Sequence, residues 1–213
     1  MTQTTHQRPK VSAMFPEQGD DVARSLGRAF IHDPPLLRVL PDVTDPVERA
    51  ERLTRMFAVV LDMQRRAGHP TLCVVQDGRA VGGALIEGVR RGLPIGARVA
   101  ALADGGRMFA ALGASGLVRA ARLQGELHEN RPDKPHLYLN LLGIDPEFQR
   151  HHFGSALLDE LRAIAEGRPE MIGVYLETAT EANVAYYQSR GYVVLSEIHP
   201  LGVKMWRMLQ LRR

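Results

Sequence analysis

Leu137 to Leu158 (LYLNLLGIDPEFQRHHFGSALL) constrains the fold more than any other stretch. Leu137, Leu139 and Leu141 alternate with Tyr138, Asn140 and Leu142, which is the period of a strand. Asp145-Pro146 ends that strand, because the residue before a proline is held extended and proline cannot donate to a ladder. Phe153, Leu157, Leu161 and Ile164 then recur at helical spacing. A strand that enters a helix through a polar, glycine-containing loop aims several backbone N–H groups at one point. Such a point binds anions.

The flanking sequence supplies the rest of an α/β domain. Val11–Phe15 reads as a first strand and Gln18–Ile31 as a helix with Val22, Leu26, Ala29 and Phe30 on one face, stopped by Asp33-Pro34-Pro35. Asp45 caps a second helix with Pro46 at its first position, ending near Gly68. Thr71–Gln76 and Ala80–Val89 form a hairpin through Asp77-Gly78. Residues 90–131, rich in Ala, Gly, Leu and Arg, read as a helical insertion cut by glycines into pieces at Ile95–Ala103, Arg107–Leu112 and Leu117–Leu127. Met171–Glu177 is a buried strand. Glu181–Arg190 is a helix capped by Thr180 and Gly191, and Val193–Ile198 with Val203–Leu209 closes the sheet. Residues 1–10 are polar and expected to be disordered, leaving one domain over 11–213.

Composition narrows the function. The net charge of +3 over 213 residues, with no basic run longer than a pair, argues against nucleic acid as a partner. No apolar run approaches the length of about 18 residues that a membrane span needs, and Met1–Lys10 lacks the apolar core of a secretory signal. Cys73 is the single cysteine, which points to a reducing compartment and a buried strand thiol. The expectation is a soluble cytoplasmic protein.

Ile144, Pro146, Gln149 and Gly154, with Ser155-Ala156-Leu157-Leu158 behind them, resemble motif A of the GNAT superfamily of acyl-CoA-dependent N-acetyltransferases. His152 stands where that motif has its first glycine. Downstream, Asn183, Tyr187, Gly191 and Tyr192 resemble motif B of the same family, and VKMWRM its closing strand. The resemblance covers Leu137 to Met208 by motif and residues 11–89 by element order alone. It implies a GNAT-like fold: a mostly antiparallel central sheet, mixed α/β, splayed between its fourth and fifth strands and flanked by helices. It also implies acetyl-CoA as co-substrate, without a metal.

By that resemblance, the N–H groups from Arg150 to Ser155 (through His151, His152, Phe153 and Gly154) hold the pyrophosphate at the positive end of a helix. Arg150 can add charge. His152 either contacts phosphate or is merely tolerated, and His151 is expected to be exposed. A strand bulge at Gly143 would leave backbone groups of Leu142 and Ile144 free for the pantetheine arm, with the Leu142 N–H polarising the thioester carbonyl. Asn183 and Tyr186 belong to the cofactor side, and Tyr187 is the implied general acid, with core packing as its plainer alternative. Glu177 is the first candidate base, followed by Glu87, His128 and His136. The activity implied is acetyl transfer to the primary amine of a small molecule. Peptide or protein N-acetylation and a non-catalytic acyl-CoA sensor are the alternatives. A homodimer through the last strands or the insertion is compatible with the sequence.

Overall fold

The computed structural model describes residues 9–88, 95–129 and 131–213. Its frame is one seven-stranded sheet: β1 (Lys10–Ala13), β2 (Thr71–Gln76), β3 (Arg79–Glu87), β4 (Leu137–Ile144), β5 (Gly173–Thr178), β6 (Val193–Ile198) and β7 (Met205–Leu211). The spatial order is β1-β2-β3-β4-β5-β7-β6, and every neighbouring pair is antiparallel except β4 and β5. That mixed, mostly antiparallel sheet is the one expected. Lys10 lies in β1, so the disordered segment expected over 1–10 does not reach that far; residues 1–8 fall outside the described residues.

The helices are α1 (Gly19–Ala29), α2 (Pro34–Val39), α3 (Pro46–Arg66), α4 (Ile95–His128), α5 (Phe153–Glu166) and α6 (Glu181–Ser189). They cover both faces of the sheet and so bury it on two sides. On one face Phe153, Leu157 and Leu161 of α5 pack on Ile86, Leu139 and Leu176. On the other, Leu26 of α1, Phe57 of α3 and Leu112 of α4 pack around Leu85 and Cys73. Cys73 is fully buried, and burial pushes its thiol pKa up, away from reactive thiolate.

Three expectations need correcting. Asp33-Pro34-Pro35 does stop α1, but it also starts α2: the Asp33 carboxylate accepts from the Leu36 N–H (3.1 Å), as Asp45 accepts from Val47 and Glu48 at α3 (3.2 Å each). The same Asp-Pro chemistry serves both starts. Residues 95–128 are two helical stretches rather than three, because only Gly113 (φ +70°) leaves the helical region; Gly105, Gly106 and Gly116 are carried inside. The final strand runs Met205–Leu211, two residues later than the expected Val203–Leu209.

The hairpin between β2 and β3 turns as expected, with Asp77 (φ +51°) and Gly78 (φ +80°) both left-handed, as a type I′ turn requires.

Candidate active site

The site is set by how β4 leaves its neighbour. Leu137, Tyr138 and Leu139 pair with Val174, Tyr175 and Leu176 of β5, and the pairing ends there. On the other edge β4 stays paired with β3 as far as Gly82↔Ile144. The register between β3 and β4 slips at Leu85/Ile86, where Leu85 faces Leu141 and Ile86 faces Leu139, so the extra residue is Asn140. The bulge expected at Gly143 is therefore three residues earlier. Gly143 is glycine for another reason: a Cβ there would lie 2.8 Å from Leu26 and Phe30 carbons, so α1 could not approach the sheet.

Beyond the bulge, backbone direction follows from alternation. The Asp145 N–H donates to Val81 of β3 (2.9 Å), so the N–H groups of Gly143 and Asp145 face β3. Those of Leu142 and Ile144 consequently face the opening gap toward β5. The Ile144 carbonyl, on the same side, accepts from Gln149 Nε2 (3.1 Å), which ties the loop to the strand end. Gln149 thus braces the loop rather than pointing outward.

The loop itself is shaped by two left-handed residues, Arg150 (φ +64°) and His152 (φ +63°), the latter being the N-cap of α5. Alternation of left- and right-handed residues turns successive N–H groups to one side and makes a concavity for anions. Among the described residues, no protein acceptor takes the N–H groups from Arg150 to Ser155; the Ala156 N–H is the first to be used, donating to His152. The position where the motif has glycine is thus one that demands positive φ. Histidine is among the residues that tolerate it, at a cost of roughly 1 kcal/mol.

Side chains divide the loop's work. Phe153 is in the core, so only its N–H can serve a ligand. The exposed His151 ring folds back, its Nδ1 2.9 Å from the Gln149 carbonyl. The side chains of Arg150 and His152 are exposed and, among the described residues, make no hydrogen bond. Ser155 Oγ lies 3.1 Å from Tyr186 Oη, which joins the start of α5 to α6. A Cβ on Gly154 would meet its nearest atoms at 3.7–3.9 Å, ordinary contact, so the fold does not itself require glycine there. An approaching ligand would.

Opposite the loop, between the sheet and helices α2 to α4, is a cavity of about 450 Å³. Leu142, Asn183, Tyr187 and Glu177 line it at the split between β4 and β5, and Met56, Phe57, Met108 and Leu123 make it apolar further in. Burial, with the neighbouring Tyr186 second, raises the Tyr187 phenol above its ordinary value, so it is protonated and able to donate at neutral pH. Asn183 is exposed on its side chain's face while its N–H donates to the Thr180 cap (3.3 Å).

Glu177 sits in a network that the sequence did not disclose. Its side chain is 3% exposed, accepts from Tyr175 Oη (2.8 Å) and lies 4.0 Å from Arg131 Nε. Burial raises its pKa, and Tyr175, Arg131 and Tyr138 pull part of that back. Arg131 stacks on the Tyr138 ring (3.6 Å) and reaches Glu87 (3.7 Å), which accepts from Asn140 (3.0 Å). Glu177 reaches the cavity, whereas Glu87, His128 and His136 are absent from its wall. Tyr138 and Tyr175 occupy strand positions that read as core, and residue 131 lay at the edge of an unassigned insertion. Only the topology brings them together.

The sequence profile of the acetyltransferase (GNAT) family matches residues 37–192. The chain belongs to that family. It is accordingly an acetyl-CoA-dependent N-acetyltransferase, and the resemblance read from motifs A and B is the right one. Solved structures share its fold. A protein described as a histone acetyltransferase and related acetyltransferase, from Corynebacterium glutamicum, is 21% identical with a TM-score of 0.71, covering 97% of this chain and 98% of that one. An arylalkylamine N-acetyltransferase from Aedes aegypti is 12% identical with a TM-score of 0.59, covering 97% and 100%. The ribosomal-protein-S18-alanine N-acetyltransferase of Escherichia coli is 14% identical with a TM-score of 0.53, covering 95% and 93%. Among the described residues no group of side chains is arranged to hold a metal, and no helix is long and apolar enough to cross a membrane.

Proposed function

We propose that this N-acetyltransferase acts on the primary amine of a small molecule, and that Leu142, Tyr187 and Glu177 carry the chemistry. The observation behind the small-molecule reading is the cavity: about 450 Å³, walled by α2 to α4 and reaching the open edge of β4. A compact apolar chamber suits a small organic amine better than an extended peptide.

The cofactor side is built from main chain. The N–H groups of Arg150 to Ser155 would hold the pyrophosphate, with the Arg150 guanidinium alongside and Asn183 and Tyr186 flanking the arm. The residues fit that group: among the described residues these N–H groups have no protein acceptor, and Gly154 adds no side chain beside them. The amide arm would take the place of the missing β5 neighbour, with the Ile144 N–H as a partner and the Leu142 N–H kept for the thioester.

In the transfer step the amine nitrogen bonds to the thioester carbonyl carbon and the C–S bond breaks. The Leu142 N–H donates to the oxygen on which charge develops, an interaction worth about 2.7–4 kcal/mol in a water-poor site. Glu177 takes the proton that the ammonium must lose; burial, by raising its pKa, makes it a better acceptor near neutrality. Tyr187 gives its proton to the departing thiolate and is re-protonated by the second proton that the nitrogen sheds as the amide forms. The products are the N-acetylated amine and free CoA.

Thiol release from acetyl-CoA across a panel of small primary amines, polyamines and peptides tests the reading. Turnover of small amines well above that of peptides is expected; turnover confined to peptides would replace the small-molecule acceptor with a protein one.

A further inference from the structure

Three carboxylates line the cavity, and two are neutralised. Glu177 has Arg131, and Asp104 of α4 pairs with Arg66 and, at 3.6 Å, Arg107. Asp33 is different. Among the described residues no lysine, arginine or histidine pairs with it, and its carboxylate's sole hydrogen bond is from the Leu36 N–H. Arg49 of α3 reaches the preceding turn, but spends its guanidinium on the Ile31 and Val43 carbonyls. The neighbours of Asp33 on the cavity wall include Phe30, Pro35, Leu36 and Phe57. Burial in these surroundings, partly offset by the Leu36 N–H, pushes its pKa up to about 6. At neutral pH it is therefore a part-buried carboxylate on the wall of an apolar cavity, with one oxygen that takes no protein donor among the described residues.

The helix cap does not account for this. Asparagine caps a helix about as well as aspartate and carries no charge, so ionising a part-buried carboxyl among apolar neighbours for the cap alone is a net cost. Position adds a second argument. The Asp33 N–H donates to the Phe30 carbonyl (3.1 Å), and the Phe30 ring packs where Gly143 has no side chain. The carboxylate thus stands on the turn that packs against β4 beyond its last pairing with β5.

We propose that Asp33 is the cation anchor of the acceptor site, and that the acceptor is an apolar primary amine taken up as its ammonium ion. This rests on the small-amine transfer reading above and narrows it. The apolar wall accommodates the hydrocarbon part, and Asp33 offsets the desolvation of the charged end. Neutral apolar molecules of the same size gain only the wall, and polar amines gain only the carboxylate. Asp33 holds the cation; Glu177 remains the group that receives the proton.

Hexylamine, hexan-1-ol and ethanolamine are suitable probes, titrated into the CoA-bound protein by calorimetry, for wild type, Asp33→Asn and Asp33→Ser. Both substitutions keep a capping oxygen at the start of α2, and melting temperature checks the fold. Wild type is expected to bind hexylamine at least tenfold tighter than either other probe. Both variants should lose that preference while their affinity for hexan-1-ol stays the same. In turnover, the hexylamine KM should rise tenfold or more with kcat within about threefold. Equal hexylamine affinity in wild type and variants, or equal binding of ethanolamine and hexylamine, would overturn the anchor. The two readings fail separately: Asp33-dependent binding without acetylation removes the transfer reading, and acetylation with an unchanged KM removes the anchor.

Discussion

The two halves of the active site are built from different materials. The cofactor half, Leu142 to Ser155 with α6 beside it, is largely backbone: free N–H groups on a strand edge and at a helix start. The partners within its loop are close in sequence, so local chain geometry shapes the loop, while pairing with β3 and parting from β5 free the strand edge. The acceptor half is side chains from α2, α3, α4, β4 and β5, with Phe30 after α1, collected around one cavity. A backbone-built half can tolerate substitutions that keep φ and leave space. A half built from side chains changes its preference with each residue exchanged.

That contrast can be broken first at Tyr187, where the halves meet. Tyr187→Phe should lower kcat by 10² or more, the usual worth of a positioned general acid, with acetyl-CoA affinity unchanged by calorimetry. A comparable loss of affinity would instead make Tyr187 part of the cofactor half. Glu177→Gln should cost about 10² in kcat at neutral pH and abolish the acidic limb of the pH–rate profile. That limb should lie above the ordinary glutamate range, since burial raises the Glu177 pKa. A mutant with the wild-type limb would move the base elsewhere.

Within the cofactor half, Gly154→Ala should weaken acetyl-CoA binding about tenfold, for the cost of a lost close approach of about 1.4 kcal/mol. The melting temperature should not fall, because a Cβ there meets only ordinary contacts and alanine favours the helix. Lost stability without lost affinity would mean that the glycine serves the fold. His152→Gly should leave both affinity and stability nearly unchanged: the relief of a left-handed histidine is offset by roughly 0.5–1 kcal/mol of extra unfolded-state entropy. A severalfold weaker affinity would give the His152 ring a phosphate contact.

A separate effect is expected on stability at Asp33. Its folded pKa, about 6, exceeds the ordinary carboxyl value of 3.8, so its contribution is fully present below about pH 4 and is lost as pH rises through 6. Asp33→Asn lacks that loss, and its melting temperature relative to wild type should rise between pH 4 and 7. A relative fall would mean that an unseen cation already pairs with the carboxylate.

Legibility in the sequence followed the same division. Strand, loop and helix could be read from Leu137 to Leu158 because each signal is local: alternation, Asp145-Pro146, then helical spacing. Asp77-Gly78 and Thr180 were legible for the same reason. Alternation could not locate the bulge, since Asn140 is extra only relative to β3. Gly143 looked like the irregularity, but its lack of a side chain answers to α1, more than a hundred residues earlier. Asp33-Pro34-Pro35 carried the cap signal that Asp45-Pro46 carried, and was read as an ending because the following helix has only six residues. The Arg131 network around Glu177 had no local signal, for it joins β3, β4, β5 and the chain after α4. Glycine count suggested three helical pieces over 95–128, whereas burial of Leu112, Leu123 and Leu127 against the core holds the stretch together apart from Gly113.

The most direct test of the division is a calorimetric titration of acetyl-CoA, desulfo-CoA and ATP into wild type and Asp33→Asn. The account predicts that both CoA compounds bind both proteins with the same dissociation constant, near micromolar, and that ATP does not compete. Failure of the CoA compounds to bind, or equal binding of ATP, would contradict a cofactor half formed by the loop from Gln149 to Ser155. Weaker acetyl-CoA binding in Asp33→Asn would contradict the separation of the two halves.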